Sequence, residues 1–344
     1  MGSKSSPLVS IVTPVYNNAE HIDQCIESVL AQSYQNWDYA IVDNCSTDGS
    51  GEIARRYAAT DPRIRVHDNA EFLRVVTNHN NALRQISPES KYCKMVFADD
   101  LIFPRCIEEM VGVAEEHPSV GIVGAYGLDG SNVLWVGLPY PSTVIPGHEV
   151  CRRLFLDGLY VFGTATSLLY RSDLVRDRDP FYREDNINAD CETCVDLLKV
   201  CDFGFVSQIL TFTRARKHSL SAMSAKINTF GVGRLQYTMM HGRHFLTDKE
   251  FDRCLRRELD RHYMYLGGSF LRGRDNGFWR FHKKMLEDVG LGFSPARLAK
   301  GIVGAVYLAG LHPQRTLKRL LGSKSDERQT FIREIAERRP GQHT

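Results

Sequence analysis

Residues 9–50 read VSIVTPVYNNAEHIDQCIESVLAQSYQNWDYAIVDNCSTDGS, and the fold turns on them. Leu8-Val-Ser-Ile-Val-Thr13 is a β-branched run ended by Pro14, the pattern of a buried strand. Asn17 or Asn18 is placed to cap a following helix, in which Ile22, Cys25, Ile26, Val29 and Leu30 share one face. Tyr39-Ala-Ile-Val42 reads as a second strand. It runs into Asp43-Asn-Cys-Ser-Thr-Asp-Gly-Ser50, a stretch rich in turn residues. A second helix then turns Ile53, Ala54 and Tyr57 inward.

The alternation continues outward from this stretch. Ile64–His67 reads as strand, 76–87 as helix, Lys94–Ala98 as strand, Cys106–Glu116 as helix and Val120–Ala125 as strand. Short connections between alternating elements predict an α/β domain with a mainly parallel central sheet. Ligands of such sheets bind beyond the carboxyl ends of the strands. The informative residues are therefore Thr13-Pro-Val-Tyr16, Asp43–Asp48 and Asp99-Asp100.

The last pair stands in Met95–Pro104, MVFADDLIFP, where a buried run meets two adjacent carboxylates. Like charges side by side at the mouth of a core repel each other. A divalent cation would neutralise them, and Mg²⁺ or Mn²⁺ is commonly held by one or two carboxylates plus substrate phosphates. A plain turn, with Asp100 as a cap and Asp99 solvated, is the competing reading.

Beyond residue 130 the pattern is mixed. Asn132–Gly137 and Thr166–Tyr170 are strand-like, Asp190–Val200 is helix-like, and Phe205–Thr213 is a strand that ends in the basic tract Arg214-Ala-Arg-Lys-His218. From about 226 the chain reads as helical and basic. The expected organisation is a polar leader at 1–7, an α/β domain at 8–225 and a basic helical region at 226–344.

The 344 residues are 43% hydrophobic and 24% charged, an ordinary globular composition. The net charge of +2 hides an asymmetry. Residues 1–210 hold 17 Lys and Arg against 29 Asp and Glu, and residues 211–344 hold 26 against 12. A basic C-terminal part can meet phosphates or anionic lipid, or can simply be a solvated helical surface. The nine cysteines are scattered and odd in number, which predicts a reduced, cytoplasmic chain instead of a disulfide framework. Cys191-Glu-Thr-Cys194 has no second pair at zinc-site spacing and is expected to face a helix core. The longest apolar run, Gly301–Leu311, is too short for the roughly 20 residues of a membrane span. Arg297 and Lys300 before it, with Arg315, Lys318 and Arg319 after it, fit a helix lying on a membrane surface as well as a core helix.

The order strand, T-P-x-Y-N, helix ending S-V-L-x-Q-S-Y, strand ending V-D-x-x-S-T-D-G-S resembles the N-terminal region of family 2 glycosyltransferases. The resemblance continues through Asp99-Asp100 and weakens towards residue 221, about two thirds of the chain. It implies a GT-A fold, with a helical C-terminal extension here, and an inverting transfer from a nucleotide-activated sugar, usually uridine-based. On that resemblance Thr13, Pro14, Tyr16 and Asp43 hold the nucleotide. Asp43 would accept the imide N–H of the base, and Tyr16 would stack on its ring. Asp48 is expected to hold the turn. The family's metal motif is D-x-D or a variant such as D-D. Phe97 stands at the usual first acid, so the metal role passes to Asp100 and a ribose or metal contact to Asp99, with Mn²⁺ or Mg²⁺ as cofactor. Asn78 or Asn80 would touch the nucleotide and Arg74 the diphosphate.

An inverting transfer needs a base for the acceptor hydroxyl. The family places an acid at the start of a helix after the acceptor loop, matched here by Asn188–Leu197. Asp190 is the expected base, Glu192 the runner-up and Glu184-Asp185 a weaker alternative. Asp190 as a helix cap is the structural alternative. Many relatives continue with R-x-H-x-x-S-x-S. Here Arg214 and both serines are kept, Arg216 replaces the histidine and His218 stands two residues on, so Arg216, Lys217 or His218 would meet the diphosphate. The partners implied are a nucleotide-sugar donor and a saccharide or lipid-linked acceptor in cell-envelope polysaccharide synthesis, with peripheral contact at the inner membrane face and no nucleic acid. Phe97 and the displaced histidine support a different class, a sugar-nucleotide-binding scaffold without transfer activity. A dinucleotide oxidoreductase is disfavoured, because no G-x-G-x-x-G follows the first strand.

Overall fold

A computed structural model of the chain describes residues 6–186, 188–214 and 227–311. The chain divides into two compact units, Met1–Ser219 and Leu220–Thr344.

In the first unit the opening stretch forms β1 (Val9–Val15), α1 (Ile22–Leu30), β2 (Trp37–Asp43) and α2 (Ser50–Ala58). Then come β3 (Ile64–Asp68), α3 (Val75–Leu83) and β4 (Tyr92–Met95). Every residue of β1 is buried, because parallel strands cover both its edges: Val12 pairs with Ala40 of β2 and with Met95 of β4. The apolar face of α1 packs Ile22, Cys25, Ile26 and Val29 onto this sheet, and Ala54 of α2 is buried with Ile53 and Tyr57 partly covered.

The rest of the unit comprises β5 (Leu101–Ile102), α4 (Cys106–Glu116), β6 (Val120–Asp129), β7 (Asn132–Leu134), β8 (Val144–Ile145), α5 (Gly147–Asp157), β9 (Leu168–Arg171), α6 (Ser172–Arg176), α7 (Ala189–Leu197) and β10 (Asp202–Phe212). The strand order is β3-β2-β1-β4-β9-β6-β10-β5. The first four strands are parallel, β9 runs antiparallel between β4 and β6, and β10 returns parallel to β6. The sheet is open and mixed, parallel on the side that carries the opening stretch.

Two local expectations are corrected. β4 ends at Met95 instead of continuing to Ala98. The Val96 N–H still donates to Val12 O at 2.9 Å, but the Phe97 N–H turns aside to Thr166 Oγ1 at 3.0 Å, so the chain leaves the ladder two residues before the acid pair. The N-cap of α1 is His21, and Asn18 meets the helix start through its backbone carbonyl, which accepts the His21 and Ile22 N–H groups at 3.1 and 3.0 Å. Beneath this strand end Lys94 is fully buried, and its ammonium donates to Thr166 O at 2.6 Å and Leu168 O at 3.2 Å. Burial lowers its pKa. All nine cysteines are free, and Cys191 and Cys194 are buried as expected while Cys45 is exposed.

The second unit is helical among the described residues: α8 (Thr229–Phe245), α9 (Asp248–Leu271), α10 (Asn276–Glu287) and α11 (Pro295–Leu311). A capping box starts α9, where Thr247 accepts the Glu250 N–H and Glu250 reaches back to Thr247. The Asp275 side chain caps α10 by accepting the Phe278 N–H at 2.8 Å. Ile227, Leu235, Leu259, Tyr263, Leu266, Phe278 and Leu286 form the core of this unit. α9 and α11 meet backbone to backbone, and a Cβ on Gly267 would lie 2.2 Å from the Gly301 carbonyl carbon. Among the described residues no helix is long and apolar enough to cross a membrane.

Candidate active site

The loops that leave β1 and β2 are zipped together. Asn17 N donates to Ser46 Oγ at 3.0 Å, Thr47 N to Asn17 Oδ1 at 2.8 Å, Asn18 N to Ser50 Oγ at 2.8 Å and Ala19 N to Asp48 Oδ2 at 2.8 Å. This explains why Asn17 does not cap the helix, because its side chain serves the neighbouring loop, whereas Asn18 ties Ser50 with its N–H and the start of α1 with its carbonyl. Asn17 and Cys45 sit at φ 46° and 62°, the left-handed region that such a crossing demands. Asp48 also accepts the Ser50 N–H and hydroxyl at 3.0 and 2.6 Å. Burial raises its pKa, but the hydrogen bonds from Ala19 and Ser50 outweigh that and leave it below the ordinary value. Asp48 holds the turn, as its place in S-T-D-G predicts.

Within this frame Tyr16 is 50% exposed and meets Phe72, itself 47% exposed, edge to face at 4.8 Å. Asp43 is buried at the end of β2. Its Oδ1 accepts the Ser46 N–H at 3.1 Å, and its Oδ2 faces the first turn of α2 so closely that a Cβ on Gly51 would stand 2.5 Å away. Only glycine leaves that carboxylate room. Thr13 points the other way. Its hydroxyl donates to Val96 O at 2.8 Å and pairs with Tyr39 Oη at 2.8 Å, so its side chain closes the core. Pro14 is buried within β1.

The loop that carries Arg74, which is exposed, is held by amides. Asn69 Nδ2 donates to Asn44 Oδ1 at 2.8 Å and to Asn78 Oδ1 at 2.9 Å, while Asn44 brackets the backbone of Leu73 with two 2.8 Å bonds. Asn78 therefore steadies this loop. Asn80 is committed elsewhere: its amide accepts the Tyr182 N–H at 2.8 Å and donates to Tyr182 O at 2.8 Å and Glu184 Oε1 at 3.2 Å. With both ends of the amide occupied, Asn80 fastens the 181–184 segment to α3 and has no donor left for a nucleotide, which corrects the expectation from its motif.

The acid pair follows the point where the chain leaves the β4 ladder. Asp100 is 2% exposed. Its Oδ1 accepts the Arg214 N–H at 3.2 Å, and its Oδ2 is buried with no hydrogen bond of ordinary geometry. Burial pushes its carboxyl up to about 7, with Asp99 adding to the effect and Thr166 and Arg214 offsetting part of it. Arg214 clamps the loop, donating from Nε to Asp99 O at 3.0 Å and from Nη2 to Gln24 Oε1 at 2.7 Å. Phe97 lies against His79 at 5.0 Å, and His79 against Tyr182 at 6.5 Å. Burial pulls the His79 pKa down to about 4, so this ring is neutral. These aromatic contacts lead from the Phe97 loop to Tyr182, in the segment before α7.

Asp190 lies in the first turn of α7 and not at its N-cap, which is Asn188, so it is no cap, but its charge does sit at the positive end of the helix dipole. Its Oδ1 accepts the Cys191 N–H at 2.8 Å. Burial pushes its carboxyl up to about 6, against the pull of that N–H. Glu192 differs. It is buried, takes Arg183 at 3.2 Å and accepts from the Asn186 amide, so it is an internal ion-pair partner and not an available base. Asp185 pairs with Arg183 at 2.7 Å. Arg216, Lys217 and His218 lie outside the described residues.

Sequence reasoning missed Phe72, Asn44, Asn69, His79 and Thr166. Only Phe72 carried a signal, an aromatic residue in a polar loop. The others act through partners far along the chain.

No group of three or more His, Cys, Asp or Glu is gathered as a metal cluster among the described residues. The buried Asp100 oxygen without a donor fits a cation all the same, because such a carboxylate lacks a positive or hydrogen-bonding partner.

The open mixed sheet with polar loops at its strand ends has the architecture of a GT-A type fold, which the solved structures below share. Residues 10–178 match the family described as Glycosyl transferase family 2, and this region of the chain belongs to that family. The putative glycosyltransferase EpsE of Bacillus subtilis is 33% identical over 156 residues, 43% of this chain and 55% of EpsE, so the match spans about half of that relative. The structure of S. aureus TarS 1-349 in complex with UDP-GlcNAc matches with a TM-score of 0.61 at 16% identity, covering 87% of this chain and 88% of that one. The mannosyltransferase PcManGT of Pyrobaculum calidifontis, in complex with GDP-Man and Mn²⁺, matches with a TM-score of 0.52 at 18% identity, covering 97% and 87%. At these identities the two structures establish the fold.

Proposed function

We propose that the chain is an inverting glycosyltransferase that moves a sugar from a nucleoside-diphosphate sugar, a UDP-sugar in the first instance, to a hydroxyl of a saccharide or lipid-linked acceptor in envelope polysaccharide synthesis. The observation that carries this is Asp100: a buried carboxylate at the end of a parallel strand, with one oxygen left unpartnered. The complexes of TarS with UDP-GlcNAc and of PcManGT with GDP-Man and Mn²⁺ support the reading for the fold.

Tyr16 and Phe72 offer ring faces to the base, and Asp43 Oδ2 accepts its N–H. Asn44, Asn69 and Asn78 hold the loop that presents Phe72 and Arg74, and Arg74 approaches the diphosphate. Asp100 and Asp99 would hold Mn²⁺ or Mg²⁺, which would offset the charge of the departing diphosphate when bound. Arg214 fixes the acid loop, and Arg216 or His218 stands near enough in sequence to share the diphosphate. Asp190 takes the proton of the acceptor hydroxyl. Its raised pKa keeps it ionised above about pH 6 while making it a better proton acceptor than an ordinary aspartate. Holding donor and acceptor in line supplies much of the remaining acceleration.

The exposed Val303, Val306 and Tyr307 on α11, with Arg297 and Lys300 in its first turns, support contact with the inner face of a membrane. Partition wholly into the supernatant with anionic vesicles at low salt would remove this part.

Calorimetric titration with a panel of nucleoside diphosphates, each with Mn²⁺, Mg²⁺ or chelator, tests the core of the proposal on wild type and Asp100→Ala. One nucleotide should bind in a manner that needs both metal and Asp100. Binding that persists with chelator and in Asp100→Ala, without any turnover, would favour the scaffold reading. That reading draws on Phe97, which fills the first acid position and packs on His79.

A further inference from the structure

The turn that carries the acid pair is fastened at Thr166, 69 residues beyond Phe97 in the chain. Thr166 is fully buried in a short 3₁₀ turn, Ala165–Ser167, that leads into β9. Its hydroxyl oxygen accepts the Phe97 N–H at 3.0 Å, the first N–H after β4 to leave the ladder. The Phe97 carbonyl then accepts the Asp100 N–H at 2.9 Å and the Cys25 thiol at 3.5 Å, which closes the turn. The same Thr166 hydroxyl stands beside the Asp100 carboxylate. A hydroxyl that accepts from Phe97 still has its own proton to direct at that carboxylate.

Thr166 is itself held from β4. Its carbonyl accepts the Lys94 ammonium at 2.6 Å, and Leu168 O takes the same group at 3.2 Å, with Met110 Sδ at 3.7 Å. Burying an amine is costly unless it is hydrogen-bonded, and these carbonyls supply the bonds. The end of β4 and the 3₁₀ turn therefore grip each other at two points: Lys94 on the Thr166 carbonyl, and the Thr166 hydroxyl on the Phe97 N–H. The first fixes the backbone of Thr166 and the second uses its side chain, so the peptide that begins the acid turn is located from inside the sheet. A valine at 166 would keep the volume and the carbonyl, but would leave the Phe97 N–H without its acceptor.

We propose that Thr166, anchored by Lys94, is a positioning residue for the acid pair: by holding the Phe97 peptide outside the ladder it aims the Asp100 carboxylate and so sets the affinity for the divalent cation. This rests on the reading of Asp100 as a metal ligand. Thr166 itself touches neither cation nor sugar; it acts through the turn, as groups behind a metal ligand do.

The probe is Mn²⁺, titrated into the full chain with and without UDP and followed by the resonance signal of the free ion. Wild type should bind Mn²⁺ and Asp100→Ala should not. Thr166→Val should weaken Mn²⁺ binding at least about tenfold, with the far-UV spectrum unchanged. Thr166→Ser restores the hydroxyl and should stay within about threefold of wild type. Thr166→Ala leaves room for water at the Phe97 N–H, and should show the same loss as the valine variant if that variant does not fold. Thr211→Val removes another fully buried hydroxyl, which pairs with Ser167 Oγ at 3.5 Å, and should leave Mn²⁺ binding within about twofold. Wild-type Mn²⁺ affinity in Thr166→Val or Thr166→Ala overturns the proposal. An equal loss in Thr166→Ser overturns it as well, because the hydroxyl is then not the agent, and an equal loss in Thr211→Val reduces the effect to general loosening. In all of these outcomes wild type still binds Mn²⁺ through Asp100. If wild type binds none, or Asp100→Ala binds as well as wild type, the metal reading of the acid pair has failed and the positioning role falls with it.

Discussion

The loop after β2 and the loop after β4 each place an aspartate at the same edge of the sheet, and the two are opposites. Asp48 accepts three hydrogen bonds, from Ala19, from the Ser50 backbone and from the Ser50 hydroxyl, and its pKa lies below the ordinary value. Asp100 accepts one N–H, from Arg214, has only the Thr166 hydroxyl beside it otherwise, and burial pushes it up to about 7. A carboxylate whose partners all come from its own chain is a structural part. One that the chain buries and leaves short of donors is a binding part, because the missing partner has to come from outside.

That contrast can be broken by substitution. Asp100→Asn should abolish metal-dependent transfer or donor hydrolysis, a loss of about a thousandfold or more in turnover. It should nevertheless unfold at the same temperature as wild type or higher above pH 7, because a buried charge has been removed. A marked fall in melting temperature would make Asp100 a structural residue like Asp48. Next in size, Asp190→Asn should lower kcat about 10²–10⁴-fold with nucleotide affinity unchanged. In wild type the rate should rise with pH through about 6, since the base works only after losing its proton. A flat profile between pH 5 and 7 (roughly the span over which such a group titrates) removes Asp190 as base. Asp48→Ala should cost about 1–2 kcal/mol of stability, read from denaturant midpoints, and weaken nucleotide binding only through the loosened loop. The smallest effect is expected for Tyr16→Ala, roughly tenfold or less in nucleotide affinity with kcat little changed, as one ring face is lost.

The opening stretch was legible because its determinants are local. β1, α1, β2 and α2 follow from apolar spacing, Pro14 and the S-T-D-G turn, and they stand where the sequence puts them. The misreadings involve partners that the local pattern does not reveal. Asn17 looks like a cap until the second loop claims its side chain. Glu192 looks like a base until Arg183 and Asn186 fold back onto it. Asn80 matches a nucleotide motif but bonds Tyr182, which lies far along the chain. β9 reads as a strand, yet its antiparallel insertion between β4 and β6 is decided by pairing, which no local pattern encodes.

Lys94 lends itself to a different use. Its amine lies wholly inside the sheet and is tied to two carbonyls, whereas Lys91, Lys284 and Lys300 keep their amines at the surface. An acylating reagent applied to the folded chain would mark those three and spare Lys94. The mass of the peptide that contains it would then act as a built-in clock, recording how often the sheet opens far enough to let a small electrophile in.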